Sequence, residues 1–127
     1  NGVSEIVKGR EAPLKIGNPC AIVDWGHAAD YVKAMKAGLS LDMPRDYIIA
    51  SGVPHTVRQF AEIAFASCEL DAEDWLVGDS EFQGKPEPEL PRIGDSSLLR
   101  ELSGWAPEYA FEDMVKEIVR NAIADST

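Results

Sequence analysis

An apolar run, Ala21-Ile22-Val23, turns at Gly26 into a segment with helical apolar spacing, and this strand-to-helix switch constrains the chain more than any other feature. Ala28, Tyr31, Val32, Met35 and Leu39 recur at intervals of three and four, which predicts one apolar helix face running to about Leu41. Asp24 and His27 fall at the entrance of that helix. A carboxylate there is stabilised by unpaired backbone N–H groups and by the positive end of the helix dipole.

The flanking segments supply further elements. Val3 to Val7 reads as the end of a helix closed by Lys8 and Gly9, and Leu14-Lys15-Ile16 as a short strand. Gly17-Asn18-Pro19 stops that strand and permits left-handed backbone at Gly17 or Asn18. Residues 46–51 are β-branched and aromatic without polar alternation, which predicts a strand covered on both faces. Thr56 and Gln59 match a capping box. Behind it Val57, Phe60, Ala61, Ala64, Phe65 and Cys68 form an apolar face. Arg58, at that start, reads as a solvated charge. Trp75-Leu76-Val77 is a candidate strand, and residues 82–91, rich in Gly, Pro and Glu, form an irregular loop. Asp95 caps a helix closed by Gly104. The last helix carries an apolar stripe of Phe111, Met114, Val115, Ile118, Val119, Ala122 and Ile123.

A chain of 127 residues is one domain's worth, and no apolar run approaches the roughly 20 residues of a membrane span. The net charge of −10 argues against nucleic-acid binding. Cys20 and Cys68 lack metal-ligand spacing and, with no export signal, read as reduced, buried thiols in a cytoplasmic protein; no metal site is expected. The chain does not start with Met, so it reads as a piece of something longer.

"GNPCAIVDWGHAADYVKAM", "DYIIASGVPHTVRQFAEIAF" and "IGDSSLLRELSGWAPEYAFEDMVKEIV" resemble, in this order, three stretches of the GDP-mannose 4,6-dehydratases. These are extended short-chain dehydrogenase/reductase enzymes acting on nucleotide sugars. The resemblance implies an α/β fold: a small C-terminal substrate-binding lobe with few short strands and about four amphipathic helices, around Ala28, Phe60, Leu98 and Phe111. It implies that the Rossmann half lies outside this chain, a single lobe over residues 1–127. That half would bring the NADP or NAD and the catalytic residues. The chain has no G-x-G-x-x-G turn to approach a pyrophosphate, and none of Tyr31, Tyr47 or Tyr109 has a Lys four residues on, so no catalytic or cofactor-binding residue is expected in it.

The partner implied is a nucleotide-diphosphate sugar resembling GDP-mannose. The substrate-binding positions that the resemblance carries over are Gly17, Asn18, Asp24, Lys85, Glu89 and Arg92. Two departures matter. The family's Arg immediately before Asp-Trp-Gly is Val23 here, which loses a fork of parallel donors. The family's "RPxEVD" corresponds to the loop Lys85 to Arg92. One register puts Pro88 where the family has Glu, and one inserted residue restores Glu89, as in the related GDP-4-keto-6-deoxymannose reductases. A reductase or epimerase lobe, or a module that kept the fold and lost the ligand, are the alternatives. An apolar face uncovered by the absent half is expected to make the piece self-associate.

Overall fold

The computed structural model describes residues 2–78 and 91–125. Lys85 and Glu89 lie outside the described residues. Helix α1 (Gly2–Val7) leads through Gly9, at φ 101°, to strand β1 (Leu14–Ile16). Then come β2 (Ile22–Asp24), α2 (Ala28–Leu39), β3 (Pro54–Thr56) and α3 (Val57–Ala66). A single turn, α4 (Ala72–Trp75), runs directly into β4 (Leu76–Gly78), and α5 (Ser97–Ser103) and α6 (Phe111–Ala124) complete the chain. The strand expected at Trp75 begins one residue later, because Asp71 accepts from Glu73 N and winds 72–75 into a helical turn.

Among the described residues, four short strands form two separate pairs. β1 lies parallel to β4 with Leu14 opposite Leu76, and β2 antiparallel to β3 with Val23 opposite His55. The capping box at α3 is fully formed: Thr56 Oγ1 accepts from Gln59 N at 3.1 Å, and Gln59 Oε1 accepts from Thr56 N at 2.8 Å. At α5 the Asp95 carboxylate makes the capping bond, accepting from Ser97 N at 2.9 Å, and Gly104 at φ 71° ends the helix in the left-handed conformation that glycine tolerates best.

Among the described residues the interior holds three patches. Ala64, Met114, Val115 and Val119 join α3 to α6, flanked by Trp25, Phe60 and Phe111, whose ring centroids stand 5.5–6.0 Å apart. Ile6, Phe65 and Ala72 bind α1 to α3 and α4, and Phe65 is fully buried, which contributes roughly 1.5–3 kcal/mol. Ala34, Leu99 and Trp105 join α2 to α5. The α6 stripe packs as expected at Met114, Val115 and Val119, while Ile118 stays 47% exposed.

Three expectations fail, each for a visible reason. The face of α2 read as apolar is turned outward: Val32, Met35 and Leu39 are 63%, 57% and 88% exposed, and the buried positions are Asp30 and Ala34. The helix is apolar on two sides, and periodicity cannot choose between them. Residues 47–50 form no ladder with any described residue, although Tyr47 and Ile49 pack against the Ala34–Leu99–Trp105 patch. Both cysteines are free thiols, but neither is buried: Cys20 is exposed at a turn, and Cys68 packs half-buried against the Ala64–Met114–Val115–Val119 patch.

Candidate functional site

The carboxylate expected at the mouth of α2 does not cap that helix. His27 does: its Nδ1 accepts from Ala29 N at 3.1 Å, its Nε2 lies 3.4 Å from Glu117 Oε2, and its ring stacks on Tyr109 with centroids 3.8 Å apart. Asp24, at the end of β2, instead collects donors from two distant segments. Oδ1 accepts from Ser51 N at 3.0 Å and from the Ser51 hydroxyl. Oδ2 accepts from Gly52 N at 2.9 Å and Gly94 N at 3.2 Å. Burial pushes the carboxyl up, but the Ser51 hydroxyl and the N–H groups of Gly52, Gly94 and Ser51 outweigh it, so Asp24 titrates below its ordinary value.

Gly94 must be glycine for this arrangement, because a Cβ there would stand 2.3 Å from the Ala50 methyl. Around the same junction Ser96 Oγ donates to Ala50 O, and Arg100 donates from Nε to Ser96 Oγ at 2.9 Å and from Nη2 to Ser51 O at 2.8 Å. A cavity of about 360 Å³ opens beside it, lined by Ser51, Gly52, Gly94, Ser97 and Arg100. A second, of about 320 Å³, shares Ser51 and Val53 and is walled by Trp25, His55, Tyr109 and Phe111. The imidazole of His55 lies flat on Phe111, with centroids 3.7 Å apart.

The residues singled out in the sequence are placed unevenly. Val23 and Arg92 form a single parallel bridge, so the position that lacks the family's arginine adjoins an exposed arginine that no described carboxylate pairs with. Asp24 is one residue along, held as above. Gly17 and Asn18 follow β1 directly, and neither adopts a positive φ. Asn18 Oδ1 accepts from Cys20 N at 3.0 Å, and the carbonyls of Pro19 and Ala21 accept from Arg58 N and Val57 N, using the free donors of the α3 start. Among the described residues the Arg58 guanidinium reaches only Glu62, at 3.4 Å across a helix turn.

Sequence reasoning missed Ser51, Gly52, Gly94 and Arg100, because nothing in local spacing links Asp24 to donors 27 and 70 residues away. It also missed Asp30, which is 1% exposed and whose Oδ2 accepts from Glu108 N and Tyr109 N, both at 3.0 Å. Its Oδ1 is buried without a hydrogen-bond partner among the described residues. Among the described residues no three His, Cys, Asp or Glu side chains converge as metal ligands, and no helix is long and apolar enough to cross a membrane. One cavity presents the Arg100 guanidinium and the other an aromatic wall, groups that can contact a ligand.

The family model described as GDP-mannose 4,6 dehydratase matches residues 1–118. GDP-mannose 4,6 dehydratase 1 of Arabidopsis thaliana is 35% identical over 117 residues, covering 92% of this chain and 32% of that protein. The GDP-mannose 4,6-dehydratase of Vibrio cholerae serotype O1 is 31% identical over 144 residues, covering 93% of this chain and 39% of that one. The chain thus spans between about a third and two-fifths of these relatives. Among solved structures, RMD from Pseudomonas aeruginosa complexed with NADPH superposes with a TM-score of 0.82 at 19% identity, covering 97% of this chain and 40% of that one. The UDP-glucose 4-epimerase of Thermotoga maritima with UDP-glucose follows at 0.76 and 18%, covering 99% and 39%. These similarities establish the shared mixed α/β fold.

Proposed function

The chain belongs to the GDP-mannose 4,6-dehydratase family, within the NAD-dependent epimerases and dehydratases, and on that footing we propose that it is the nucleotide-sugar-binding lobe of such an enzyme. The whole enzyme would convert GDP-mannose to GDP-4-keto-6-deoxymannose. The observation that supports this most is the match over residues 1–118, which falls within a limited part of each relative.

The residues of this chain do not fit the dinucleotide. A pyrophosphate cradle needs a glycine-rich turn between a strand and a helix, and the sequence has none. We therefore assign NADP or NAD, the hydride chemistry and the proton transfer to a portion of a longer polypeptide, and expect the 127-residue chain alone to be inactive. What this lobe contributes is grip. The Val23–Arg92 bridge and the cavity beside Gly52 and Gly94 border the positions where the family resemblance puts the diphosphate. Asp24 acts there by fixing the Ser51–Gly52 and Gly94 backbones, since both of its oxygens are already occupied.

A second reading has one specific observation in its favour. Val23 offers a diphosphate no donor, and a lobe that had kept its fold and lost its ligand would serve as an interaction module. A charge-assisted contact is worth about 1.5–3 kcal/mol, so losing one weakens binding by roughly one to two decades. Calorimetric titration with GDP-mannose separates the readings. For a ligand-binding lobe, Val23→Arg tightens binding about tenfold or more, and Arg92→Ala weakens it. If neither substitution moves the affinity, the nucleotide does not lie along this bridge and the module reading replaces the first.

A further inference from the structure

The cavity of about 360 Å³ beside the Asp24 junction is lined by a cation that no described carboxylate pairs with. Arg100 is half-buried on α5, and neutral groups alone hold its side chain. Nε donates to Ser96 Oγ at 2.9 Å and Nη2 to Ser51 O at 2.8 Å, and Cζ lies 5.9 Å from the centre of the Trp105 ring. Those bonds use two of the five N–H groups of a guanidinium. Among the described residues the others, both of Nη1 included, have no hydrogen-bond partner. Asp95 lines the same cavity, yet Ser97 occupies its carboxylate. The Ser97 N–H and hydroxyl hold that carboxyl below its ordinary value, and Arg100 contributes least. The backbone keeps the space in front of the guanidinium open. Gly52 sits at φ 77°, and a Cβ there would stand 3.8 Å from both Arg100 Nη2 and Gly94 O. The volume falls within the roughly 300–1,000 Å³ of small-molecule sites.

We infer that this cavity is a binding site for a small oxyanion, a phosphoryl or carboxylate group, taken by the uncommitted N–H groups of Arg100. The donor fixes the class of ligand. A guanidinium held by two of its N–H groups still presents a parallel pair, and a phosphoryl or carboxylate group supplies the matching pair of oxygens. Charge points the same way, because a half-buried guanidinium without a counter-ion has given up water and received no anion in exchange. The site borders the Val23–Arg92 bridge without sharing it. Val23 and Asp24 are successive residues of β2 and leave opposite faces of the strand, and the cavity belongs with Gly52 and Gly94, the donors to Asp24. An oxyanion there bears on the junction directly: Arg100 holds Ser51 O, while Ser51 and Gly52 donate to Asp24.

Inorganic phosphate and acetate, titrated into the isotope-labelled chain at constant ionic strength, test the site by NMR. The Arg100 Nε–H and the Gly52 and Ser97 amides should shift together and saturate with one Kd on the order of 1 mM. The tighter of the two anions names the group. Arg100→Lys keeps the charge, loses the parallel donors and should weaken binding about tenfold. Two further variants leave Arg100 in place and change the charge around it. Asp95→Asn keeps an oxygen for the Ser97 N–H and should tighten binding about twofold or more. Val53→Glu, at an exposed position on the cavity lining, should weaken it by about the same factor. Should Arg100→Lys disturb the fold, seen as a displaced Gly94 amide signal, the opposite responses of these two still decide. Shifts that never saturate, that chloride reproduces, or that both charge variants leave unchanged refute the site. If GDP-mannose moves the same three signals and phosphate competes with it, the cavity is part of the nucleotide-sugar site. That result overturns a separate oxyanion site and leaves the lobe reading standing.

Discussion

Asp24 and Asp30 lie six positions apart and do opposite things with the same carboxylate. Asp24 is half-buried and divides its donors evenly, Ser51 on one oxygen and Gly52 with Gly94 on the other. Asp30 is nearly inaccessible and concentrates both of its backbone donors on Oδ2, leaving Oδ1 with none among the described residues. The first ties together three segments around the candidate site. The second pins only the turn before α6, with help from Lys33, which pairs with Glu108. Burial alone would rank Asp30 as the more important residue, whereas the number and division of donors ranks Asp24 first.

The largest test of that ranking is Asp24→Ala, which strands the donors of Ser51, Gly52 and Gly94 together. It should cost about 3 kcal/mol in a urea titration, given 1–3 kcal/mol for each unmet buried donor and some relief by water. A loss below about 1 kcal/mol would dissolve the contrast.

The isosteric amides sharpen it. Asparagine keeps one acceptor oxygen, which is enough for Asp30, whose donors converge on a single atom. It is not enough for Asp24, where the new NH₂ must face either Ser51 or the two glycine N–H groups. Asp24→Asn should therefore be less stable than Asp30→Asn by about 1–2 kcal/mol. Equal losses would show that charge, not the division of acceptors, decides.

Acid unfolding gives a smaller effect with a definite sign. The Asp24 carboxyl is held below its ordinary value, so its contribution is fully present above the unfolded value near pH 3.9 and is lost as pH falls through the lower folded value. Stability measured from pH 5 down to pH 2 should fall less steeply in Asp24→Asn than in the parent chain. A parallel acid limb in the two proteins would mean that the carboxylate gains nothing on folding. The smallest effect is expected at Arg58, whose contact with Glu62 is long and exposed: Arg58→Ala should change stability by no more than about 0.5 kcal/mol.

How far the sequence carried depended on the range of the interaction. The Thr56–Gln59 capping box, the Asp95 cap and the Gly104 stop were legible, because each is decided within four residues. The existence of α2 was legible too, but not its orientation, since a helix with two apolar sides has two equally good ways to face a core. The composition of residues 46–51 predicts a strand covered on both faces, and no described residue supplies a ladder to residues 47–50. The candidate site was visible only as positions: Val23 and Arg92 are separated by most of the chain, and their bridge is a product of folding. The part played by Gly94 could not have been found, because it rests on an N–H group and on the absence of a side chain against Ala50.

The parallel pairing of β1 with β4 and the 70-residue reach from Asp24 to Gly94 also bear on the order of events during folding. Both close long loops before any local reward is collected, and each doubling of loop length adds only about 0.6 kcal/mol of closure entropy. The penalty therefore falls mainly on rate, not on final stability. Helix α3, with its self-contained cap, can form from neighbouring residues alone, whereas β2 keeps Asp24 short of its full set of donors until residue 94 has been made. On a ribosome this gives the chain a fixed schedule, in which the junction beside the candidate cavities is among the last parts to set.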